Sequence, residues 1–408
     1  MRDAVLASLN LIPTVGGFLS YLSALFIPSP GKSAEQMWRE YTDEKISSAL
    51  FALVQANLIG LTNVSQLYNS AVSAQQVEVI RAQSIAANTS FVETMPSFAL
   101  TGEEVALLPL YVIAASLHLA LLRDMVLSSE KIGLTNASRD VVAAQQQAAI
   151  KEYTAHVDKQ AAAVYDAVRR DHPGSEERSR NSPLSELLQR RTELQQDCLD
   201  IRDTWHGFDA VRYPGKVKLR VNRELFTGII GPWDRVAPSA NRFPDWAPPA
   251  SPLRSVEITR RLVSNIELAF LGGVRMRYED GTTVDTGIRA ESDKEFTVSG
   301  GDRIIDVQTH HRTVQGLVSM KLVTQLNREH KVMGRENNFD VVLSSQFPGH
   351  CLSSIHIIGA GTASAARASG CCVLGYQLLD QEASVMSEAM FERLAPRVPP
   401  HLLRWMVD

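Results

Sequence analysis

Cysteine is scarce: the 408 residues include four, Cys198, Cys351, Cys371 and Cys372. So few, and so clustered, they cannot form the disulfide framework that holds small secreted domains together. None has metal-ligand spacing to histidine, so free thiols and no metal site are expected. A dominant charge is missing too. The formal net charge is −4, which offers no electrostatic footprint for nucleic acid, and no nucleic-acid partner is expected. No Ser/His/Asp, Cys/His or paired-carboxylate arrangement emerges, so neither an enzyme activity nor a cofactor is expected. The nearest mimic is IHIIGAGTASAARASGCCVLGYQLLD at residues 355–380. It has Gly359 and Gly361 of a dinucleotide fingerprint, but Ser364 takes the third glycine position and too little chain follows for further βα units.

What the chain does have is a long apolar run. In TGEEVALLPLYVIAASLHLALLRDMVLSSEK, residues 101–131, no charge occurs from Val105 to Leu122. That is the lower edge of what crosses a bilayer, where about 20 apolar residues are needed at 1.5 Å rise. Thr101 and Glu104 have capping-box spacing, and Lys131 suits the negative end of the helix dipole. The expected helix therefore begins near Thr101 and carries Pro109, Tyr111, His118 and Leu122, with a kink at Pro109. Such a helix is buried all round, by protein as a core helix or by lipid. His118, flanked by leucines, reads as a buried histidine bonded to a neighbouring helix, or as a pH-sensitive group.

The preceding residues, 75–95, read as a second helix. On a helical wheel Val77, Ile80, Ile85, Phe91 and Val92 share one sector, while Glu78 and Glu93 lie opposite and Arg81 and Asn88 intrude on the apolar side. A short charge-free turn, PSFAL from Pro96, joins the two. An amphipathic helix joined to an all-apolar one is a hairpin, residues 75–127, that could enter a membrane loop first. It also describes the outside and core of a soluble bundle.

Two blocks carry a family resemblance. LLPLYVIAASLHLALLRDMVLSSEKIGLT, at residues 107–135, resembles the central helix of the three-domain insecticidal crystal toxins, the delta-endotoxins. CLDIRDTWHGFDAVRYPGKVKLRVNRELFTGIIG, at 198–231, is similar to that family's last bundle helix and its exit, and EKISSALFALVQANLIGLTNVSQLYNSAV matches the helix before the hairpin. The resemblance implies a seven-helix pore-forming bundle over residues 1–230. Proline then departs from the family's pattern, coming about one turn later at Pro109. Arg212 matches the family arginine before Tyr-Pro, which pairs with a carboxylate of the second domain.

After residue 230 the character changes. A proline-rich stretch at 231–254 reads as a linker. Residues 255–380 alternate apolar and polar positions between turn residues, the all-β pattern. MRYEDG, a diglycine before DRIIDVQ, and LVSMKLVTQLNREHKVMG resemble the jacalin-type β-prism, itself related to domain II of the crystal toxins. A possible glycan loop is placed at Gly349 and Ser353, although Ser353 replaces the carboxylate that holds sugar hydroxyls in the lectins. Expected receptor-binding tips are Asp280, Gly281 and Thr282; His310, His311 and Arg312; and Asn327, Arg328 and His330. Residues 381–408 form a short tail in place of a third domain, so a two-domain variant is expected. Residues 171–183 are an exposed loop and protease target. The N-terminal apolar stretch lacks a clear cleavage site and reads as the first short helices, with a signal peptide as the alternative.

The resulting expectation is a pore-forming toxin, made as a soluble or crystalline inclusion protein and released. It binds a cell-surface receptor protein or glycan, assembles as a homo-oligomer and acts on the target cell plasma membrane. The alternative is a lectin-like, carbohydrate-binding protein whose helices are a scaffold.

Overall fold

The computed structural model describes residues 48–171, 181–215, 217, 223–230, 247–263, 266–287, 291–298, 301–312, 316–333, 341–347, 349–358 and 371–379. These fall into two units, one of residues 48–164 with 194–217, the other of 165–171 and 181–193 with 223–379.

The helical unit opens with α1, Ser48–Ala74, and α2, Val77–Thr94. Gln75 separates them because its backbone is left-handed, φ 56°, a conformation no α-helix continues through. A 3₁₀ turn, Met95–Phe98, begins with Pro96 in its first turn, where a missing N–H is harmless. Helix α3, Leu108–Leu127, follows, and Gly133, φ 73°, ends the turns after it. A side chain at Gly133 would stand 2.8 Å from Val77 Cγ1, so glycine serves both the turn and the close approach of α2. Helix α4, Asn136–Asp171, is rich in alanine, the strongest helix former. It buries Val142, Gln146, Ala149, Tyr153, Val157 and Gln160, steps of three and four that define one face.

Past Leu194 a π-turn, Gln195–Leu199, leads into the single turn α6, Asp200–Arg202, and a 3₁₀ turn, Trp205–Phe208. Trp205 and Phe208 are fully buried in the core that α3 fills. Five long helices are described, fewer than the seven expected. The expected first helices fall in residues 1–47, outside the described residues.

The fifth long helix, α5 at Asn181–Leu194, contributes Leu184 and Leu188 to a small core with Phe226, Ile229 and Val373 of the strand unit. Periodicity alone assigns this helix to the bundle. Its Ser185 and Thr192 hydroxyls instead bond the backbones of Ile229 and Phe226.

The strand unit holds three antiparallel sheets. The first has β1 (Leu225–Phe226), β11 (Cys371–Leu378) and β10 (His350–Ile358) in that order. The second runs β4 (Thr283–Gly287), β3 (Ile266–Tyr278), β2 (Leu253–Val263) and β5 (Glu291–Thr297). The third runs β8 (Glu329–Met333), β7 (Gly316–Thr324), β6 (Ile304–Arg312) and β9 (Val341–Ser345). Alternate residues point inward. Val256 and Ile258, Met320 and Leu322, and Leu374 and Tyr376 therefore bring one face of each sheet to a shared core, the arrangement of a β-prism.

The expected dinucleotide mimic (its loop at 359–370), most of the proline-rich linker (231–246), the charged loop at 172–180 and the tail at 381–408 lie outside the described residues.

Candidate functional site

Helix α3 is buried on every side from Leu110 to Val126. It is also the one described helix long and apolar enough to cross a membrane. Its start differs from the sequence expectation. Gly102 is left-handed, φ 91°, and the Glu104 carboxylate turns back to accept the Gly102 N–H at 2.7 Å. Residues 101–107 are therefore turns, and no capping box forms at Thr101. Pro109 becomes the second residue of the helix, where it breaks no intrahelical bond, so the expected kink is corrected to a helix start.

Helix α2 covers α3 with Ile80, Ser84, Ala87 and Phe91. Val77, Ile85 and Val92, placed on the inner face by the helical wheel, are about half exposed. Small side chains at Ser84 and Ala87 set the inner stripe, which a hydrophobicity wheel underweights. Glu78 and Arg81 form an exposed ion pair, Glu93 and Pro96 are exposed, and Leu122 and Tyr111 are buried. His118 is bonded through Nδ1 to the Tyr153 hydroxyl at 2.6 Å and through Nε2 to Asn88 Oδ1 at 2.8 Å. It also stacks on Phe91 at 5.2 Å. Asn88, which seemed to spoil the apolar face, is thus the partner that satisfies the histidine.

Two charges at the end of α3 escaped the sequence reading as site residues. The Arg123 guanidinium, fully buried, donates to the carbonyls of Gly207 at 3.3 Å, Phe208 at 3.2 Å, Tyr213 at 2.7 Å and Gly215 at 2.8 Å. Asp124 accepts from the Tyr68 hydroxyl at 2.6 Å and the Ser128 hydroxyl at 3.2 Å. Burial, together with the neighbouring carboxylate, holds the Tyr68 phenol in its protonated form far above the usual tyrosine range. Around them Trp205 Nε1 donates to Ser116 Oγ at 2.9 Å, and Gln146 bonds both Phe208 O and Ala210 N. An Arg-Asp pair closing an eighteen-residue charge-free run was the available signal, since such groups are buried only when fully bonded.

In the strand unit the expected tips divide between two ends. The turns at 279–282 and 325–328 are exposed, with Gly281 at φ 87° and Asn327 at φ 55°. Arg303 joins them, pairing with Glu279 at 3.2 Å while its carbonyl accepts the Gln325 N–H at 2.8 Å. His330 stacks on Phe296. Gly349 is exposed at this same end, where β10 begins opposite Leu378. His310, His311 and Arg312 are not at a tip beside them. They close strand β6 at its far end, opposite Ser319, Leu317 and Gly316, and His310 is buried.

Ser353 is buried at a register shift in β10 and donates to the carboxylate of Glu224. Glu224, which the sequence reading passed over, is 4% exposed, and its Oε2 has no hydrogen-bond partner among the described residues. Burial pushes its carboxyl above the usual range, against the opposing hydrogen bonds of Ser353 and Ser354 and the charge of Arg191. Gly375 closes the niche, because a side chain there would meet Ser354 Oγ at 2.2 Å and Glu224 Oε1 at 2.6 Å. Ser354 in turn is bonded to His356 Nε2 at 2.8 Å, and burial pulls that imidazole down to about 4. Arg212, expected in an ion pair, is exposed. Its guanidinium lies 5.4 Å over the Tyr213 ring, and it makes no ion pair among the described residues.

Residues 4–171 match the family model for the delta endotoxin N-terminal domain. Among curated relatives, the chain is 28% identical over 213 residues to pesticidal crystal protein Cry1Ib of Bacillus thuringiensis subsp. entomocidus, covering 49% of this chain and 28% of that one. It is 26% identical over 281 residues to Cry8Ba of Bacillus thuringiensis serovar kumamotoensis, covering 63% of this chain and 23% of that one. The match thus spans about a quarter of each relative's length. Among solved structures, the Bacillus thuringiensis insecticidal crystal protein Cry7Ca1 superposes with TM-score 0.74 at 20% identity, covering 94% of this chain and 74% of that one. PirB superposes with TM-score 0.73 at 14% identity, covering 95% and 96%. The fold is shared with both, and residues 4–171 of this chain are similar to the delta endotoxin N-terminal domain.

Proposed function

We propose that this chain is a pore-forming toxin whose α2–α3 hairpin leaves the soluble bundle and inserts into the plasma membrane of a target cell. The observation that carries the reading is α3 itself: 20 residues with 94% of its apolar window buried inside protein, a helix that must be re-covered by lipid if it leaves. The match of residues 4–171 to the delta endotoxin N-terminal domain supports it. Charge is costly at mid-bilayer, so Glu78, Arg81 and Glu93, exposed on α2, face a water-filled lumen between copies of the chain. No enzymatic step is part of this reading. The strand unit recognises a receptor protein or glycan on the cell surface, through the exposed turns at 279–282 and 325–328. The protein is made as a soluble or crystalline inclusion and acts after release.

Calcein-loaded vesicles test the membrane step. The full chain, after protease treatment, is expected to release dye in proportion to a power of concentration above one, as an oligomer requires. Absence of release from vesicles and from susceptible cell membranes alike would overturn the reading. Binding to glycans without leakage would favour the lectin-like alternative.

A further inference from the structure

Beneath the hairpin turn lies a cleft of about 500 Å³, walled by α2, the 3₁₀ turn and α3 on one side and by α4 on the other. One wall is apolar: Val92, Met95, Pro96 and Ala99. The other is aromatic. Tyr111 and Tyr153 stand nearly perpendicular, at 86° with centroids 5.8 Å apart, and His156 stacks on Tyr111 at 4.1 Å.

Most of the polar groups lining the cleft are already engaged with one another; His156 Nε2 is the exception, buried without a hydrogen-bond partner among the described residues. His118 is bonded to Tyr153 and Asn88, and Asn88 donates to Gln145 Oε1 at 3.0 Å. The lining carries a single formal charge, Glu152, exposed at the mouth and without an ion pair among the described residues. Glu104 and Lys159 act on His156 from nearby, so the charges around the rings leave an excess of one negative charge. Perpendicular aromatic walls, a carboxylate at the rim and a lining whose one open hydrogen-bonding atom is a single imidazole nitrogen suit a cation that needs few hydrogen bonds and can lie against a ring face.

We propose that this cleft is a binding site for a soluble quaternary ammonium compound with a small apolar body. The cationic head sits between Glu152 and the Tyr111–Tyr153 corner, and the body lies against Met95, Pro96 and Ala99. Because such a ligand touches the hairpin and α4 at once, its occupancy opposes their separation. That consequence rests on the pore-forming reading; the binding itself does not.

Calorimetric titration of the full chain with benzyltrimethylammonium tests the site, with benzyl alcohol and benzoate as the neutral and anionic counterparts. The cation is expected to bind at least tenfold more tightly than either. Glu152→Lys, an exposed change, is expected to weaken it at least fivefold. Equal binding of benzyl alcohol, unaltered affinity in E152K, or no heat at millimolar cation would each overturn the proposal. To separate a soluble ligand from a lipid headgroup, co-flotation with phosphatidylcholine vesicles is compared for wild type and E152K. Unaltered flotation is expected, and its loss would overturn the soluble source. In the calcein assay the cation is expected to slow release by wild type and leave E152K unaffected. Binding without that slowing would leave the site standing and remove only its link to the pore.

Discussion

Glu224 places an ionisable carboxylate where water cannot solvate it and where one oxygen lacks a donor among the described residues. Its folded pKa is raised, chiefly by burial. The unfolded chain therefore releases this proton at lower pH than the folded chain, and the folded state loses stability as pH rises from the ordinary glutamate range through the folded pKa. Glu224→Gln keeps the shape and removes the titration. Its thermal unfolding is expected to be less sensitive to pH between 4 and 9 than that of wild type, with the variant gaining at the alkaline end roughly 2–4 °C for each kcal/mol recovered. Parallel curves for the two proteins would refute this. Arg123 makes the opposite case, a buried cation with backbone acceptors on several sides. Arg123→Met removes the donors and leaves those carbonyls unmatched, and a loss of about 3–5 kcal/mol is expected in urea unfolding of the helical unit. A loss below about 1 kcal/mol would mean that water replaces the guanidinium.

At the scale of the element, the pore reading makes the hairpin a moving part, and its turn is tied to α1 by Asn57 Nδ2 donating to Ser97 Oγ at 2.8 Å. Asn57→Cys with Ser97→Cys, bridged by a short cleavable thiol reagent, is expected to leave circular dichroism unaltered and to abolish dye release until the bridge is cut. The native thiols of Cys198, Cys351 and Cys372 are buried and do not compete for the reagent, and Cys371 is replaced by serine in the background. Full release from the bridged protein would show that the hairpin stays in place. Much of this element was legible beforehand. The apolar run located α3, the breaks near Pro96 and Gly133 were marked by their own residues, the strand alternation located the all-β half, and the resemblance to the jacalin-type lectins implied its β-prism. The start of α3 was not legible, because capping residues at Thr101 and Glu104 compete with a left-handed Gly102, and sequence spacing does not report φ. Nor was the niche at Glu224, which depends on Ser354 pairing with Gly375 across β10 and β11 and on Ser353 reaching Glu224, 129 residues distant along the chain.

For the whole molecule, the turns proposed for recognition gather at one end of the strand unit. The turns at 279–282 and 325–328 share one end through Arg303, whereas His310–Arg312 belong to the other. Alanine replacement of Asp280, Thr282, Asn327 and Arg328 together is expected to weaken cell binding at least tenfold while vesicle leakage stays within about twofold, since rim side chains of this kind each contribute on the order of 1 kcal/mol. Loss of leakage with normal cell binding would assign these turns to assembly.

The carbonyls that neutralise Arg123 lie 84 to 92 residues further along the chain. During synthesis at roughly 5–20 residues per second, the ribosome needs about 5–18 s to supply them after Arg123 is made. Throughout that interval the most apolar of the described helices has neither its arginine anchored nor Trp205 and Phe208 against it. Ribosome-bound chains that end before the 207–215 segment emerges should therefore recruit chaperones that recognise apolar segments, and should shed them once that segment clears the exit tunnel.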